Sequence, residues 1–209
     1  MRLFRLAFVA LVVALPAQAQ TRVIFAPQIG LYIPTEKLQS VVNGTQGAVD
    51  SLEGGISFGA RVGATFGQHL GFQVSGTYVP TTYTLGSGGN GLQSRDAKIF
   101  TGAAQLLVFL LPLSSPFTLY VSGGVGVINR GGAAFAAATK SRYISPVAGA
   151  GAGIRLGGIG LSVGAEYYPY NADYIGTTLN TNKLKQKDIQ LKFGFGVPFG
   201  VASKPATPR

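Results

Sequence analysis

The sequence contains no cysteine and no tryptophan, and it has a single histidine. Without thiols it can form neither disulfides nor zinc-thiolate centres. Charged residues amount to 11% while glycine supplies 31 of 209 positions, which excludes both a disordered tail and the surface of an ordinary soluble domain. Acidic residues are the scarcer sign, 7 against 17 basic. No amphipathic pattern of period 3.6 persists for the length of a helix. No apolar run is long enough for a membrane-spanning helix, which needs about 20 residues. The longest lies at the start, in MRLFRLAFVALVVALPAQAQ, where Arg2 and Arg5 precede the apolar stretch Leu6 to Leu15 and the small-residue site Ala17-Gln18-Ala19. This is the pattern of a secretory signal peptide over residues 1–19. Its removal leaves 15 basic and 7 acidic residues, a net charge of +8.

What the chain does have is alternation. From residue 23 onward apolar and small residues exchange places with period two, and eight strands are expected: 23–33, 54–67, 70 to about 84, 98–111, 117–128, 143–156, 160–170 and 188–199. Strands in soluble sheets commonly hold about 5 to 6 residues. Crossing a bilayer at a tilt takes about 9 to 11, which these segments satisfy. The connections alternate in length. Residues 67–69, 112–116 and 157–160 are short, whereas 34–53, 85–97, 129–142 and 171–187 are long and hold most of the charge. Short turns at one end and long loops at the other are the pattern of an even-stranded outer-membrane barrel.

Which face lies inside follows from size and charge. One side of each strand is bulky and apolar, as with Ile56, Phe58, Val62 and Phe66. The other is Gly, Ser, Thr, Ala and Gln with few charges, as with Ser57, Gly59, Gly63 and Thr65. The second face makes a poor soluble exterior, but it fits the lumen of an eight-stranded barrel, which is just wide enough to be filled by side chains. Arg61 shares that face, and an arginine toward hydrocarbon at mid-depth would cost about 2 to 4 kcal/mol. A charged lumen cluster is therefore expected, with Glu166 flanked by Arg61, Arg155 and Lys192.

The whole span 20–199 resembles the small eight-stranded outer-membrane barrels of the OmpA transmembrane-domain type, in the broad group of outer-membrane β-barrel, porin-family proteins. The final segment KFGFGVPF, with Lys192, Gly194, Val197 and Phe199, is similar to their C-terminal assembly signal, although the chain continues through a short flexible tail, 200–209. The resemblance implies an all-β, eight-stranded antiparallel up-and-down transmembrane β-barrel in the outer membrane of a Gram-negative bacterium, surrounded by lipid and lipopolysaccharide. It also implies assembly by the barrel assembly machinery and existence as a monomer.

Candidate chemistry is sparse. His69 falls in a short turn with no acid nearby, at the end opposite to the one used by barrel enzymes that act on lipid A, so no catalytic group is expected. GGVGV (123–127) and GAGAG (149–153) do not open helices, so they read as small lumen positions, and no cofactor or metal is expected. Tyr32, Tyr78, Tyr143, Tyr167 and Phe199 lie near strand ends and read as an interfacial aromatic girdle. Arg130, Lys140 and Arg142 in the third long loop, with Lys183, Lys185 and Lys187 in the fourth, are either solvated loop residues or a site for lipopolysaccharide phosphates. Nucleic acid is excluded as a partner of a secreted chain. The leading reading is a structural barrel or narrow pore constricted by its charged cluster. Its rivals are a loop-borne adhesion or ligand-binding protein, a lipid A-modifying enzyme and a soluble lipocalin-like carrier.

Overall fold

The computed structural model describes residues 22–35, 38–39, 49–87, 91–136, 141–172 and 184–199. Its strands are β1 (Arg22–Pro34), β2 (Leu38–Gln39), β3 (Val49–Leu52), β4 (Gly55–Phe66), β5 (Leu70–Ser87), β6 (Gly91–Phe109), β7 (Phe117–Gly131), β8 (Arg142–Leu156), β9 (Ile159–Ala172) and β10 (Leu184–Phe199). Apart from the short β2 and β3, each strand pairs antiparallel with the next, and β1 returns to β10 from Val23↔Phe199 to Pro34↔Asp188. The chain is thus a closed eight-stranded up-and-down barrel. Closure leaves no unpaired strand edge in the wall, which is the condition for crossing hydrocarbon with strands.

The period-two alternation sorts side chains as expected. Ile29, Phe58, Val74, Leu106 and Phe193 are exposed on the outer face, Leu106 at 67%, while their neighbours Gln73, Gln105 and Gln190 are buried inside. A soluble protein does not carry a continuous apolar surface of this size. The band has the height of a bilayer core. Its ten steps along β1 from Val23 to Ile33, at about 3.3 Å each and a tilt of about 40°, give about 25 Å.

Strand ends are longer than the alternation alone suggests, above all at the long-loop end. The β5–β6 ladder continues to Ser87↔Gly91, so most of the span 85–97 is paired strand rather than loop. The residues there are polar on the outside, with Ser94, Arg95, Asp96 and Lys98 all exposed. Beyond the lipid band both sides of a strand can be polar, and the hydrophobic contrast that marks a strand in sequence disappears. Part of the first long connection is also ordered: β3 adds to β5 through Ser51↔Thr84 and Leu52↔Tyr83. The short turns after β4 and β8 each use a glycine in the left-handed region, Gly67 at φ 63° and Gly157 at φ 62°.

Candidate functional site in the barrel interior

The interior has two unlike halves. Beneath the long loops it is an aromatic core. Tyr32, Val79, Tyr83, Ile99, Ile128, Phe135, Tyr143, Tyr168 and Tyr170 are buried there against one another. Phe135 arrives from a 3-10 turn, Ala133–Phe135, that follows β7, and its ring meets that of Tyr83 in a tilted contact with centroids 5.8 Å apart. The turn depends on Gly132, whose φ is 95° and where a Cβ would stand 2.6 Å from the Asp96 carbonyl oxygen.

Two charges are embedded in this core. Arg130 is 4% exposed. Its guanidinium lies over the rings of Phe135, Tyr143 and Tyr170 at 5.8, 5.8 and 5.2 Å, within the range of cation–π attraction. It also donates to the Tyr170 hydroxyl. That hydroxyl in turn donates to Asp188 Oδ2 at 2.7 Å, and the Tyr32 hydroxyl donates to the same oxygen at 2.5 Å. Arg130 and Asp188 are therefore coupled through a phenol in a buried setting, while Arg130 Nε and Asp188 Oδ1 have no hydrogen-bond partner among the described residues.

Below this core the interior is crossed by polar side chains. Lys192 Nζ lies 2.5 Å from Glu166 Oε2, which also accepts the Tyr168 hydroxyl at 2.5 Å. Gln190 on β10 donates to Thr101 on β6 at 2.9 Å, a bond joining strands on opposite walls. Gln73 donates to Gln105 at 2.5 Å, and Gln105 to Ser122 at 3.3 Å.

Toward the short turns the interior opens into a cavity of about 120 Å³. Arg22, Arg155 and Leu113 line it beside the turns, and Arg61, Tyr120 and Ser162 line its deep end. Arg61 donates to Ser162 Oγ at 2.9 Å, to the Tyr120 hydroxyl at 3.2 Å and to Gln73 Oε1 at 3.5 Å, the last at the limit of a hydrogen bond. The Tyr120 ring lies against Gly151, where any Cβ would collide with it, so this inward position of the run 149–153 requires glycine. A second, polar void of about 10 Å³, room for about one water, lies between Arg61, Tyr120 and Ser162 on one side and Glu166 and Lys192 on the other.

These features together, a closed eight-stranded wall, an apolar belt and a polar filled interior, are those of outer-membrane barrels. The profile of the outer membrane protein β-barrel domain matches residues 6–196. The chain belongs to this family. A search of curated proteins returned no match. Among solved structures, the outer membrane protein OprG from Pseudomonas aeruginosa is similar over 88% of this chain and 98% of its own, with a TM-score of 0.63 and 14% identity. The outer membrane protein AlkL, solved by solid-state NMR in DMPC bilayers, is similar over 90% and 97%, with a TM-score of 0.60 and 15% identity. At such identities the likeness is one of fold. Family membership places the barrel in the outer membrane of Gram-negative bacteria, with the short turns facing the periplasm and the long loops outward.

Several residues singled out in the sequence sit elsewhere than expected. Tyr32 and Tyr143 do not belong to an aromatic girdle: they are 1% and 4% exposed inside the outer core. Their position in the alternation is the inward one, and a phenol near a strand end can serve a buried carboxylate or cation as readily as a headgroup. Tyr78 and Tyr167 do face outward, at 42% and 37% exposure. Phe199 pairs with Val23 at the periplasmic end of the wall, and its side chain lies outside the described residues. Arg130 is not a loop residue: β7 runs to Gly131, and the even positions of that strand point inward. Arg142, Lys185 and Lys187 are exposed at the outer end, whereas Lys140, Lys183, the segment 1–19 and the tail 200–209 lie outside the described residues.

The expected charge cluster divides. Lys192 pairs with Glu166, and Arg61 reaches the same polar void. Arg155 does not flank Glu166. It lies six residues beyond Gly149, the β8 partner of Glu166, about 20 Å along the strand, within electrostatic reach of Arg22. The two strands form a hairpin whose register pairs Arg155 with Gly160 next to the short turn, so the shared inward parity of Arg155 and Glu166 does not bring them to one level. Asp188 and Tyr170 were missed, because the expected eighth strand began at 188 and left no reason to extend the inward parity to its first residue.

Proposed function

We propose that this barrel is a structural, non-enzymatic outer-membrane protein whose lumen is closed across its outer half. The observation that carries this reading is the Gln190–Thr101 bond between opposite walls, backed by the Glu166–Lys192 pair below the aromatic core. An interior joined side chain to side chain across its diameter leaves no continuous water column at that level. His69 supports a non-catalytic reading, since it is exposed in a periplasmic turn with Nδ1 2.9 Å from the Phe109 carbonyl oxygen. Lipid would surround the apolar belt, lipopolysaccharide phosphates would meet Arg142, Lys185 and Lys187 at the outer rim, and the barrel assembly machinery would recognise the strand containing Lys192, Gly194 and Val197. The protein would act as a monomer after cleavage at Ala19.

Planar-bilayer recording of refolded protein tests this. The wild type is expected to give no stable single-channel steps. Glu166→Ala, which leaves Lys192 without its acid, is expected to admit small anions in preference to cations, as a ring of positive charge would. Discrete conductance in the wild type that Glu166→Ala leaves unaltered would sink the closed-lumen reading.

A further inference from the structure

The periplasmic cavity brings three arginines together, Arg22, Arg61 and Arg155, and none of its lining residues is Asp or Glu. Its remaining walls are largely apolar, with Leu107, Phe109 and Leu113 on one side and Ile154 on another. The bonds of Arg61 go to an amide oxygen, a phenol and a hydroxyl, all neutral acceptors. At the rim, Arg22 and Arg155 are close enough to repel one another. Elsewhere in this interior the cations are matched: Lys192 by Glu166, and Arg130 through Tyr170 by Asp188. Among the described residues, this cavity is where positive charge converges with no acid in the lining.

We infer that this cavity is a binding site, open to the periplasm, for a small monocarboxylate with a compact apolar body. A carboxylate is the group that a guanidinium binds by paired, charge-assisted hydrogen bonds, and it would relieve the repulsion between the rim arginines. The apolar walls select what accompanies it. A closed cavity of about 150 Å³ lined by aliphatic and aromatic side chains holds benzene; the present one, about 120 Å³ but open toward the turns, takes a short chain or a single ring that reaches into the rim, its carboxylate toward Arg61. The Arg61–Tyr120–Ser162 bridge is then the floor of the site, separating it from the void beneath Glu166 and Lys192. The inference does not depend on whether the barrel conducts, because a ligand enters and leaves from the periplasmic side alone.

The test uses the refolded full chain in nanodiscs of zwitterionic lipid, titrated with benzoate and, in parallel, with the neutral isostere benzamide and with inorganic phosphate, while NMR shifts of Gly63, Thr118 and Ser162 are followed. Benzoate is expected to give saturable shifts at these positions. Benzamide and phosphate, each lacking one half of the required chemistry, are expected to bind at least about tenfold more weakly. Arg61→Gln is expected to weaken benzoate by about tenfold with no effect on the weak benzamide binding, and Arg155→Gln by about threefold. Should Arg61→Gln fail to give the compact unboiled gel band of a folded barrel, the Arg155→Gln result decides. Equal binding of benzamide, equal binding of phosphate, or benzoate affinity unchanged in the folded arginine variants would each overturn the assignment.

Discussion

The outer and periplasmic halves of this interior draw on the same few residue types and treat their cations differently. In the outer half Arg130 is enclosed by three aromatic rings and tied through Tyr170 to a carboxylate that itself accepts two phenols. In the periplasmic half Arg61, an equally inward arginine, faces a cavity and bonds only neutral acceptors. A charge removed from water is tolerated where an opposite charge, phenols and aromatic rings surround it, and is otherwise left where solvent can reach it. The difference teaches that a barrel wall of one repeating pattern can hold a packed aromatic core with enclosed charges and an arginine-lined cavity end to end, the choice resting on where the acids are placed.

That contrast can be broken by experiment. The largest effect is expected from Asp188→Ala, which leaves Arg130 buried without its acid and is expected to cost about 3 to 5 kcal/mol of stability, read from urea titration of the unboiled gel-shift. A loss below about 1 kcal/mol would mean that the outer charges are not truly enclosed.

Because the natural chain has no cysteine, single thiols report access cleanly. Thr118→Cys, at the cavity wall, is expected to react with a small water-soluble thiol reagent about 100-fold faster than Thr101→Cys, which is 1% exposed; that ratio corresponds to about 2.7 kcal/mol of opening free energy at the buried position. Comparable rates would erase the distinction between the halves.

The smallest and sharpest comparison uses one substitution twice. Tyr168→Phe removes a buried donor from Glu166 and is expected to cost about 1 to 3 kcal/mol. Tyr120→Phe removes an acceptor from Arg61, which can turn to water in the cavity, and is expected to cost about 0.5 kcal/mol. Equal losses would show that the cavity excludes water as well as the aromatic core does.

The sequence by itself determined the wall. Alternation through segments such as 54–67 and 188–199, the scarcity of charge and the unequal connections specify eight tilted strands, and they specify which face meets lipid, because side-chain direction in a strand follows parity and a one-residue slip would turn every bulky group inward. Parity also placed Arg61, Glu166 and Lys192 in the lumen. Only the tertiary structure decided the depth at which each inward residue sits and whom it meets. Tyr32, Arg130, Tyr170 and Asp188, from strands β1, β7, β9 and β10, converge on one network. The physical reason is that these contacts span the lumen between distant stretches of chain, and they depend on strand stagger and on how far each ladder continues past the lipid band, neither of which leaves a local mark in the residues.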